Sequence, residues 1–287
     1  EADNPKDINA RLEELADLHN YDNIAFISGN SAADQYHFTH YWPELEYMYR
    51  RSVDFTKASL TQYNRRSKHF TALCRIDKLW RKVFMSNLWH KNLHLNGYFS
   101  YCQEFLGEQD DWDGVPLLNE FLTSQQPIWE DFIKAGPFYV DELTTTQRND
   151  YSILMDDMYN DSYFNIVLET FIDVDSSGGQ FITEKTLKPI LHCQPFICVA
   201  EAYHLEHLRS LGYHTFERVF DESYDKVEDT QERFEMVMSL SQELAEMDLD
   251  SMHNLYKSVG DITMWNRIVL ENNISHRLKD LITKIST

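Results

Sequence analysis

Residues 162–200 decide the fold, and they read SYFNIVLETFIDVDSSGGQFITEKTLKPILHCQPFICVA. The first nine residues form a strongly apolar stretch that is typical of a buried strand, and the final PFICVA has the same character. Between them lie a loop with paired glycines and the segment TEKTLKPILHC, which predicts a helix. Strand, helix and strand in this order predict a parallel βαβ unit.

The same alternation continues on both sides of this unit, so the chain is predicted to be an α/β protein with a parallel sheet. Further strands are predicted at 23–29, 68–75, 97–102 and 214–220. Further helices are predicted at 5–19, from Pro43 to about residue 60, at 78–92, over most of 115–136, at 202–212 and over most of 221–287. Only one clear strand falls in the first sixty or so residues, so a first domain there would be small.

Length and composition indicate a folded protein with a substantial core. The chain has 287 residues, of which 43% are hydrophobic, with 17 Phe, 16 Tyr and 6 Trp. No apolar run reaches the roughly 18 residues that a membrane span needs, and the first residues lack the apolar stretch of a signal peptide. Four cysteines match no zinc or redox spacing, so a reducing cytoplasm is expected: Cys74, Cys102, Cys193 and Cys198.

The charge of the chain is unevenly distributed. The net charge is -21, which argues against binding to nucleic acid or anionic membranes. Between Arg50 and Leu95, however, eleven Lys and Arg residues and two Asp give a net charge of +9, so the rest of the chain carries -30. This basic segment predicts a phosphate-binding surface, and solvated helix faces are the alternative.

The start of the helix predicted after the Gly-Gly loop has the composition of an anion site. Thr183 is a good N-cap, and Glu184 and Lys185 fall in the first turn. A helix N-terminus presents unpaired N–H groups and a partial positive charge that suit a phosphate, and Lys185 adds a full charge. Glu184 suits neutral hydroxyls, such as those of a ribose. The pair predicts a nucleotide-diphosphate ligand; alternatively, Glu184 complements the helix dipole and Lys185 points into solvent.

The segments FNIVLETF and FITEKTLKPILHCQPFICV resemble the donor-binding region of α-1,3-fucosyltransferase-type glycosyltransferases, and more closely the short relatives that tailed phages encode. The shared features are an apolar strand with a Glu near its end, then Thr-Glu-Lys, then a strand entered through Pro. The resemblance continues through LRSLGYHTFERVFDESYD (208–225) and covers about 68–225. It implies that the donor site contains Glu169, Thr183, Glu184 and Lys185.

A second segment of the same resemblance is LCRIDKLWRK (73–82), which is similar to the Asn-Arg-x-x-Arg-x-x-Arg sequence after the first strand of the family's donor domain. Arg75 and Arg81 match the first and last Arg of that sequence, and Lys78 replaces the middle one. Cys74 stands where the family often has Asn. The resemblance therefore implies that Arg75, Lys78 and Arg81 bind the donor diphosphate.

The fold that the resemblance implies is GT-B-like, with two Rossmann-type lobes and the donor between them. We expect a small N-terminal acceptor-side lobe (1–66), a nucleotide-sugar donor-binding Rossmann-like lobe (67–226) and long C-terminal helices (227–287) that pack across both lobes. The expected activity is transfer of a sugar from a nucleotide-diphosphate sugar to an acceptor hydroxyl. No metal or other cofactor is expected, because positive residues and helix N-termini stabilise the leaving diphosphate in this class.

Such a transferase needs an acidic group from the facing lobe that deprotonates the acceptor hydroxyl. The loop after the strand at 23–29 offers Asp34 first, with His37 close by and Glu44 further along. Capping of a helix that begins near Ala33 is the competing role for Asp34.

Two other interpretations of the chain stay open. DVD (173–175) and DWD (111–113) match the Asp-x-Asp pattern with which a different class of glycosyltransferase holds a divalent metal. The chain could also be a non-catalytic module that binds a nucleotide or a nucleic acid. A complete donor-binding set without a base in the facing lobe would favour that module.

Two classes of acceptor fit the sequence. One is 5-hydroxymethylpyrimidine in phage DNA, because phosphate contacts dominate DNA affinity and the basic segment carries more charge than one diphosphate needs. A flipped base would then stack on aromatic residues such as Tyr36 and Trp42. The other class is a glycan or small molecule, which the overall negative charge favours. No membrane partner is expected, and the cytoplasm would be that of an infected host cell if the gene is phage-encoded. The DNA hypothesis assigns phosphate contacts to Arg65, Arg66, Lys68 and Lys82.

Overall fold

The alternation of strands and helices predicted from the sequence is present in the folded chain. A computed structural model describes residues 5–19, 26–28, 31–35, 39–44, 64–102, 116–140, 155–173 and 179–286. Within these ranges the protein is α/β, with a parallel four-stranded sheet and helices between its strands. The predicted α/β class is therefore confirmed.

The elements have the following bounds. The strands are β1 (Phe26–Ser28), β2 (Thr39–Tyr41), β3 (Lys68–Cys74), β4 (Gly97–Tyr101), β5 (Ser162–Leu168) and β6 (Phe196–Val199). The helices are α1 (Pro5–His19), α2 (Leu79–His90), α3 (Pro116–Ser124), α4 (Gln126–Ala135), α5 (Asp156–Asn160), α6 (Glu184–Leu191), α7 (His204–Ser210), α8 (Thr230–Glu246), α9 (Leu249–Ser258) and α10 (Gly260–Ser286). Short 3-10 turns occur at Ser31–Gln35, Leu93–Asn96 and Ser223–Lys226.

The central sheet has the strand order β4-β3-β5-β6, and all neighbouring pairs are parallel. The chain runs outward from β3 to β4 and then returns to place β5 on the other side of β3. The strand order therefore reverses between β3 and β5. In doubly wound sheets, ligands bind outside the carboxyl ends of the strands at this point of reversal. We call the gap between the carboxyl ends of β3 and β5 the crevice.

Burial in the sheet follows the sequence pattern. Every residue of β5 is buried, as its continuous apolar run predicts for a strand covered on both faces. Gly97 opens β4 opposite Phe70 of β3. A Cβ at position 97 would lie 2.5 Å from the Phe70 ring, so glycine at this position leaves the room that the ring occupies.

The helices expected after residue 221 are present as α8, α9 and α10. Arg233 of α8 is buried and donates to the backbone oxygens of Ala200 and Ile172, which follow β6 and β5. This side chain therefore ties the C-terminal helices to the carboxyl edge of the sheet. None of the helices in the described part of the chain is long and apolar enough to cross a membrane.

The N-terminal segment contains its own small parallel pair, β1 with β2. Tyr41 of β2 places its hydroxyl 2.7 Å from Nε2 of His207 in α7. Glu44 is fully buried and accepts hydrogen bonds from the Tyr213 hydroxyl at 2.9 Å and from Asn273 Nδ2 at 3.0 Å. These contacts join the segment to α7 and α10. Two complete GT-B lobes stay a prediction, because residues 45–63 lie outside the described ranges.

The strand predicted at 214–220 is wrong, since this segment forms turns. Its backbone is bonded to a side chain instead of a neighbouring strand: the Phe216 N–H donates to the Glu222 carboxylate at 2.6 Å, and the Thr215 hydroxyl donates to it at 2.7 Å. Phe216 and Phe220 both bury their rings in the core. The apolar residues that suggested a strand are thus core residues of a turn.

Candidate functional site

Cationic side chains from two parts of the chain meet at the crevice. Arg75 directly follows β3, Lys78 is the N-cap of α2 and Arg81 lies in the first turn of α2. Lys185 lies in the first turn of α6, on the β5 side of the crevice. The sheet order therefore brings together residues that are about a hundred positions apart in the sequence. This is where a doubly wound sheet binds its ligand.

Lys78 and Arg81 both reach across the crevice. Lys78 donates from Nζ to the backbone oxygen of Thr170 at 2.8 Å, and its ammonium lies 5.1 Å from the centre of the Phe171 ring. Arg81 donates from Nη2 to the backbone oxygen of Glu169. The first turn of α2 is thereby attached to the loop after β5.

Arg81 is more deeply placed than a ligand-contacting residue would be. Arg81 is 3% exposed, and burial lowers the pKa of its guanidinium. Its Nε–H has no hydrogen-bond partner among the described residues. Arg81, which the resemblance assigns to the diphosphate, therefore positions the two walls of the crevice and is not exposed to a ligand.

Glu169 follows β5 and is 1% exposed. Its Oε1 accepts from the Thr183 N–H at 3.2 Å and from the Thr186 hydroxyl at 2.6 Å. Its Oε2 accepts from the Thr170 N–H at 3.1 Å and from the Thr183 hydroxyl at 2.6 Å. Four donors occupy the carboxylate, so the donor-binding role expected for Glu169 is replaced by a structural one: it fixes the start of α6 against the end of β5.

Thr183 is the N-cap of α6, as predicted. Its hydroxyl accepts from the Lys185 N–H at 3.3 Å while it donates to Glu169. The Lys185 ammonium donates to the Thr170 hydroxyl at 3.1 Å and to the Thr183 hydroxyl at 3.2 Å. It also lies 3.4 Å from Oε1 of Glu184, and the side chains of Lys185 and Glu184 are 28% and 26% exposed. Lys185 is thus held at the crevice and does not extend into solvent.

The Glu184 carboxylate is ionised under all ordinary conditions. Partial burial acts to raise its pKa, but the positive charges of Lys185 and Lys188, together with hydrogen bonding, lower the pKa to about 2. Glu184 therefore adds a permanent negative charge beside the cations of the crevice.

Lys82 belongs to a separate cluster on the β4 side. Its Nζ forms an ion pair with Asp77 Oδ2 at 3.1 Å, and only 13% and 12% of the two side chains are exposed. The Asp77 carboxylate also accepts from the Tyr101 hydroxyl, and the Lys82 ammonium lies 5.1 Å from the centre of the Trp129 ring. The DNA contact predicted for Lys82 is therefore wrong, because its charge is neutralised inside the fold.

Arg66 is likewise an internal residue. It is 5% exposed and donates to the backbone oxygens of Tyr159 and Ser162 and to the Tyr256 hydroxyl, whose ring lies 4.1 Å from the guanidinium carbon. Burial lowers the pKa of Arg66. The predicted phosphate contact of Arg66 is wrong, because the guanidinium is buried and its Nη atoms join β5 and α9 to the start of β3.

Arg65 is exposed and Lys68 is half-buried, but both lie at the amino end of β3. Arg65 forms an exposed ion pair with Asp250, and Lys68 donates to the backbone oxygen of Leu95 at 3.0 Å. The seven residues of β3 rise about 3.3 Å each, so roughly 20 Å separates these cations from the crevice. Of the other basic residues counted in this segment, Arg50, Arg51 and Lys57 lie outside the described ranges, and Lys91 donates to the side-chain oxygen of Gln242.

The segment expected to supply the base reaches the crevice from the N-terminal side. Ser31 donates from its N–H to the backbone oxygen of Gln180 at 2.8 Å, and the Gln180 N–H donates to the Ser31 hydroxyl at 2.9 Å. Gln180 lies three residues before the N-cap of α6. Asp34 belongs to the same 3-10 turn, but its side chain, like the whole of His37, lies outside the described part.

Two other N-terminal candidates are internal. Glu44, the more distant choice for the base, has no exposure and is hydrogen-bonded to Tyr213 and Asn273. Trp42, expected to stack on a flipped base, is 3% exposed. Both expectations are wrong because both side chains are buried inside the protein; the two hydrogen bonds of Glu44 join the N-terminal segment to Tyr213 and to α10. Tyr36 lies outside the described ranges.

A metal site is not built by the residues that the structure describes, since no group of three His, Cys, Asp or Glu side chains converges among them. Of the two Asp-x-Asp triplets, only Asp173 falls within these ranges. The metal-dependent alternative is therefore a question for experiment.

Three residues of the site have no counterpart in the sequence argument. Thr170 accepts a hydrogen bond from Lys78 on its backbone oxygen and another from Lys185 on its hydroxyl. Thr186 supplies one of the four hydrogen bonds to Glu169. Arg233 of α8 donates a hydrogen bond to the backbone oxygen of Ile172. Thr170 is recognisable as the end of a strand, whereas Arg233 is 61 residues from Ile172 in the loop that it holds and carries no local signal.

Neither a protein-family model, nor a curated protein, nor a solved structure matches this chain.

Proposed function

We propose that the protein is a glycosyltransferase that moves a sugar from a nucleotide-diphosphate sugar to an acceptor hydroxyl. The observation that carries the proposal is the meeting of Arg75, Lys78 and Lys185 at the strand-order reversal of a parallel sheet, beside the N-terminus of α6. The Thr-Glu-Lys resemblance to glycosyltransferase donor sites supports the choice of a nucleotide sugar over other anions.

The charges at the crevice suit a diphosphate. Lys78 and Lys185 provide two positive charges at its rim, Arg75 directly follows the end of β3, and Glu184 provides one negative charge. The first N–H groups of α6 add the partial positive charge of a helix N-terminus. A ligand with two or more negative charges is therefore favoured over a neutral one.

The proposed chemistry is breakage of the bond between the sugar and the diphosphate. Negative charge develops on the leaving diphosphate during this step, and the same cations would stabilise it more strongly in the transition state than in the ground state. The acceptor hydroxyl loses its proton to a base as it bonds to the sugar carbon. The turn that contains Asp34 contacts the segment before α6 through Ser31 and Gln180, which supports a base from this part of the chain.

For the acceptor, the structure favours the glycan or small-molecule hypothesis over DNA. The DNA hypothesis was based on cations in excess of those that bind the donor. Arg66 and Lys82 are internal, and Arg65 and Lys68 lie at the opposite edge of the sheet from the crevice. The acceptor that we propose is therefore a hydroxyl of a glycan or small molecule.

A thermal-shift screen tests the function. Nucleoside diphosphates and nucleotide sugars that bind only the folded chain should raise its melting temperature. At a ligand concentration a hundredfold above Kd, such a ligand stabilises the folded chain by about 2.7 kcal/mol. The protein should bind at least one nucleotide sugar and transfer its sugar in the presence of EDTA. Activity that is lost in EDTA and restored by Mn²⁺ would support the Asp-x-Asp alternative.

The same screen separates an enzyme from a binding module. Binding of a nucleotide sugar, with neither transfer of its sugar to a glycan nor its hydrolysis by water, would favour the non-catalytic alternative. Absence of any shift with every nucleotide would contradict both.

A further inference from the structure

We propose that the Glu184 carboxylate is a built-in counter-ion of the crevice, which neutralises Lys185 when no ligand is bound and which a diphosphate must displace. The inference rests on the proposed function and assigns to Glu184 a role in selecting the anion, in place of the ribose contact expected from the sequence.

The first step concerns the donors of Lys185. An ammonium has three N–H donors and no acceptor. Three oxygens surround Nζ: the hydroxyl of Thr170 at 3.1 Å, the hydroxyl of Thr183 at 3.2 Å and Oε1 of Glu184 at 3.4 Å. A phosphate oxygen can bind Lys185 only by replacing one of these three.

The second step identifies which oxygen is replaced. The Thr183 hydroxyl is fixed, because it donates to Glu169 at 2.6 Å and caps α6. The backbone of Thr170 is held by the bond from its N–H to Glu169 and by the bond from Lys78 to its carbonyl oxygen, and its hydroxyl makes the shortest of the three contacts to Nζ. Glu184 makes the longest of the three contacts and is the only charged partner, with a quarter of its side chain in solvent. Glu184 is therefore the group that leaves.

The third step is the effect on anion selection. Displacement of Glu184 removes one negative charge from Lys185 and leaves a carboxylate next to the incoming ligand. An anion with a single charge only substitutes for what it displaces, whereas a diphosphate brings additional charges that reach Lys78 and Arg75. The arrangement thus selects against weakly charged anions.

Isothermal titration calorimetry of the Glu184→Gln variant tests the inference. The probes are inorganic pyrophosphate and the diphosphates of adenosine, guanosine, uridine and cytidine. Removal of a carboxylate about 5 Å from a multiply charged phosphate should tighten pyrophosphate binding roughly tenfold, with the same factor for any nucleoside diphosphate that binds. Glu243→Gln is the matched control: it makes the same chemical change at an exposed position on α8 and should change neither affinity.

The outcomes are distinct. Weaker nucleoside-diphosphate binding with unchanged pyrophosphate binding would overturn the inference and assign Glu184 to the ribose hydroxyls. Unchanged or weaker binding of pyrophosphate would also overturn it. The predicted tightening of pyrophosphate with no binding of any nucleotide would uphold the counter-ion and refute the proposed function. If pyrophosphate binds neither the wild type nor the variant, the counter-ion role is refuted; if no nucleoside diphosphate binds either protein, the proposed function is refuted as well. The melting temperature of each variant shows whether it is folded.

Discussion

Replacement of Glu169 by Gln should destabilise the protein by an amount that follows from its hydrogen bonds. Each oxygen of this buried carboxylate accepts one backbone N–H and one hydroxyl. Whichever oxygen becomes the amide nitrogen, one backbone N–H then faces another donor, because only the hydroxyl can rotate to accept. An unsatisfied N–H costs about 1–3 kcal/mol, and the surviving bonds lose their charge assistance, so we expect a loss of roughly 2–4 kcal/mol in the free energy of unfolding.

Urea unfolding, followed by tryptophan fluorescence and by circular dichroism, measures this loss, and coincident transitions justify a two-state treatment. Glu243→Gln is the control, since it makes the same replacement on an exposed helix face. A double-mutant cycle of Glu169→Gln with Thr186→Val should show a coupling energy, because the two side chains share a 2.6 Å hydrogen bond. A loss below about 0.5 kcal/mol, the usual range of a surface substitution, would refute the structural role of Glu169.

Two further predictions concern stability. Arg66→Met should lower the free energy of unfolding by about 3 kcal/mol, because three buried acceptors lose their donor. Arg65→Met, at the adjacent exposed position, is the control and should have no measurable effect. Equal effects of the two substitutions in urea unfolding would contradict the internal position of Arg66. The free energy of unfolding should also fall as the pH drops from about 6.5 towards 4. Burial and the nearby His204 lower the pKa of His207 to about 4 in the folded chain. The unfolded chain therefore takes up the proton at a higher pH than the folded chain does. His207→Gln should reduce this slope in urea titrations, and an identical slope in both proteins would show that His207 does not titrate this way.

The elements that the sequence predicts well are those with a local cause. The apolar run of β5 reflects burial on both faces, and Thr183 caps α6 through a bond to a residue two positions away. Gly212 ends the helix that the pattern predicted before it, with a φ of +94°. In each case the physical reason lies within a few residues, where propensity and pattern are informative.

The assignments that failed depend on distant contacts. Arg65 and Arg66 are neighbours with the same side chain, yet one is exposed and the other is enclosed by β5 and α9. Lys82 looked like a surface cation, but Asp77 and Trp129 enclose it. Charge counting along the sequence treats all these residues alike, because it contains no information on which face the tertiary structure covers.

The same distinction applies inside the crevice. The sequence predicts that Lys78, Lys185 and Glu184 belong to one donor site, and the sheet order brings their segments together. It did not distinguish the residues that hold the site in shape, Glu169 and Arg81, from those at its rim. That distinction depends on burial and on hydrogen-bond partners that lie far away in the chain.

The central claim is that the crevice between β3 and β5 binds the diphosphate of the donor through Lys185. Calorimetric titration of the best nucleoside diphosphate from the screen into the wild type and Lys185→Ala tests it directly. Loss of a charge-assisted contact of roughly 1.5 kcal/mol or more should weaken binding at least about tenfold. The exposed Lys134→Ala serves as the control and should bind as the wild type does. Equal affinity of the wild type and Lys185→Ala for the nucleoside diphosphate would contradict the account.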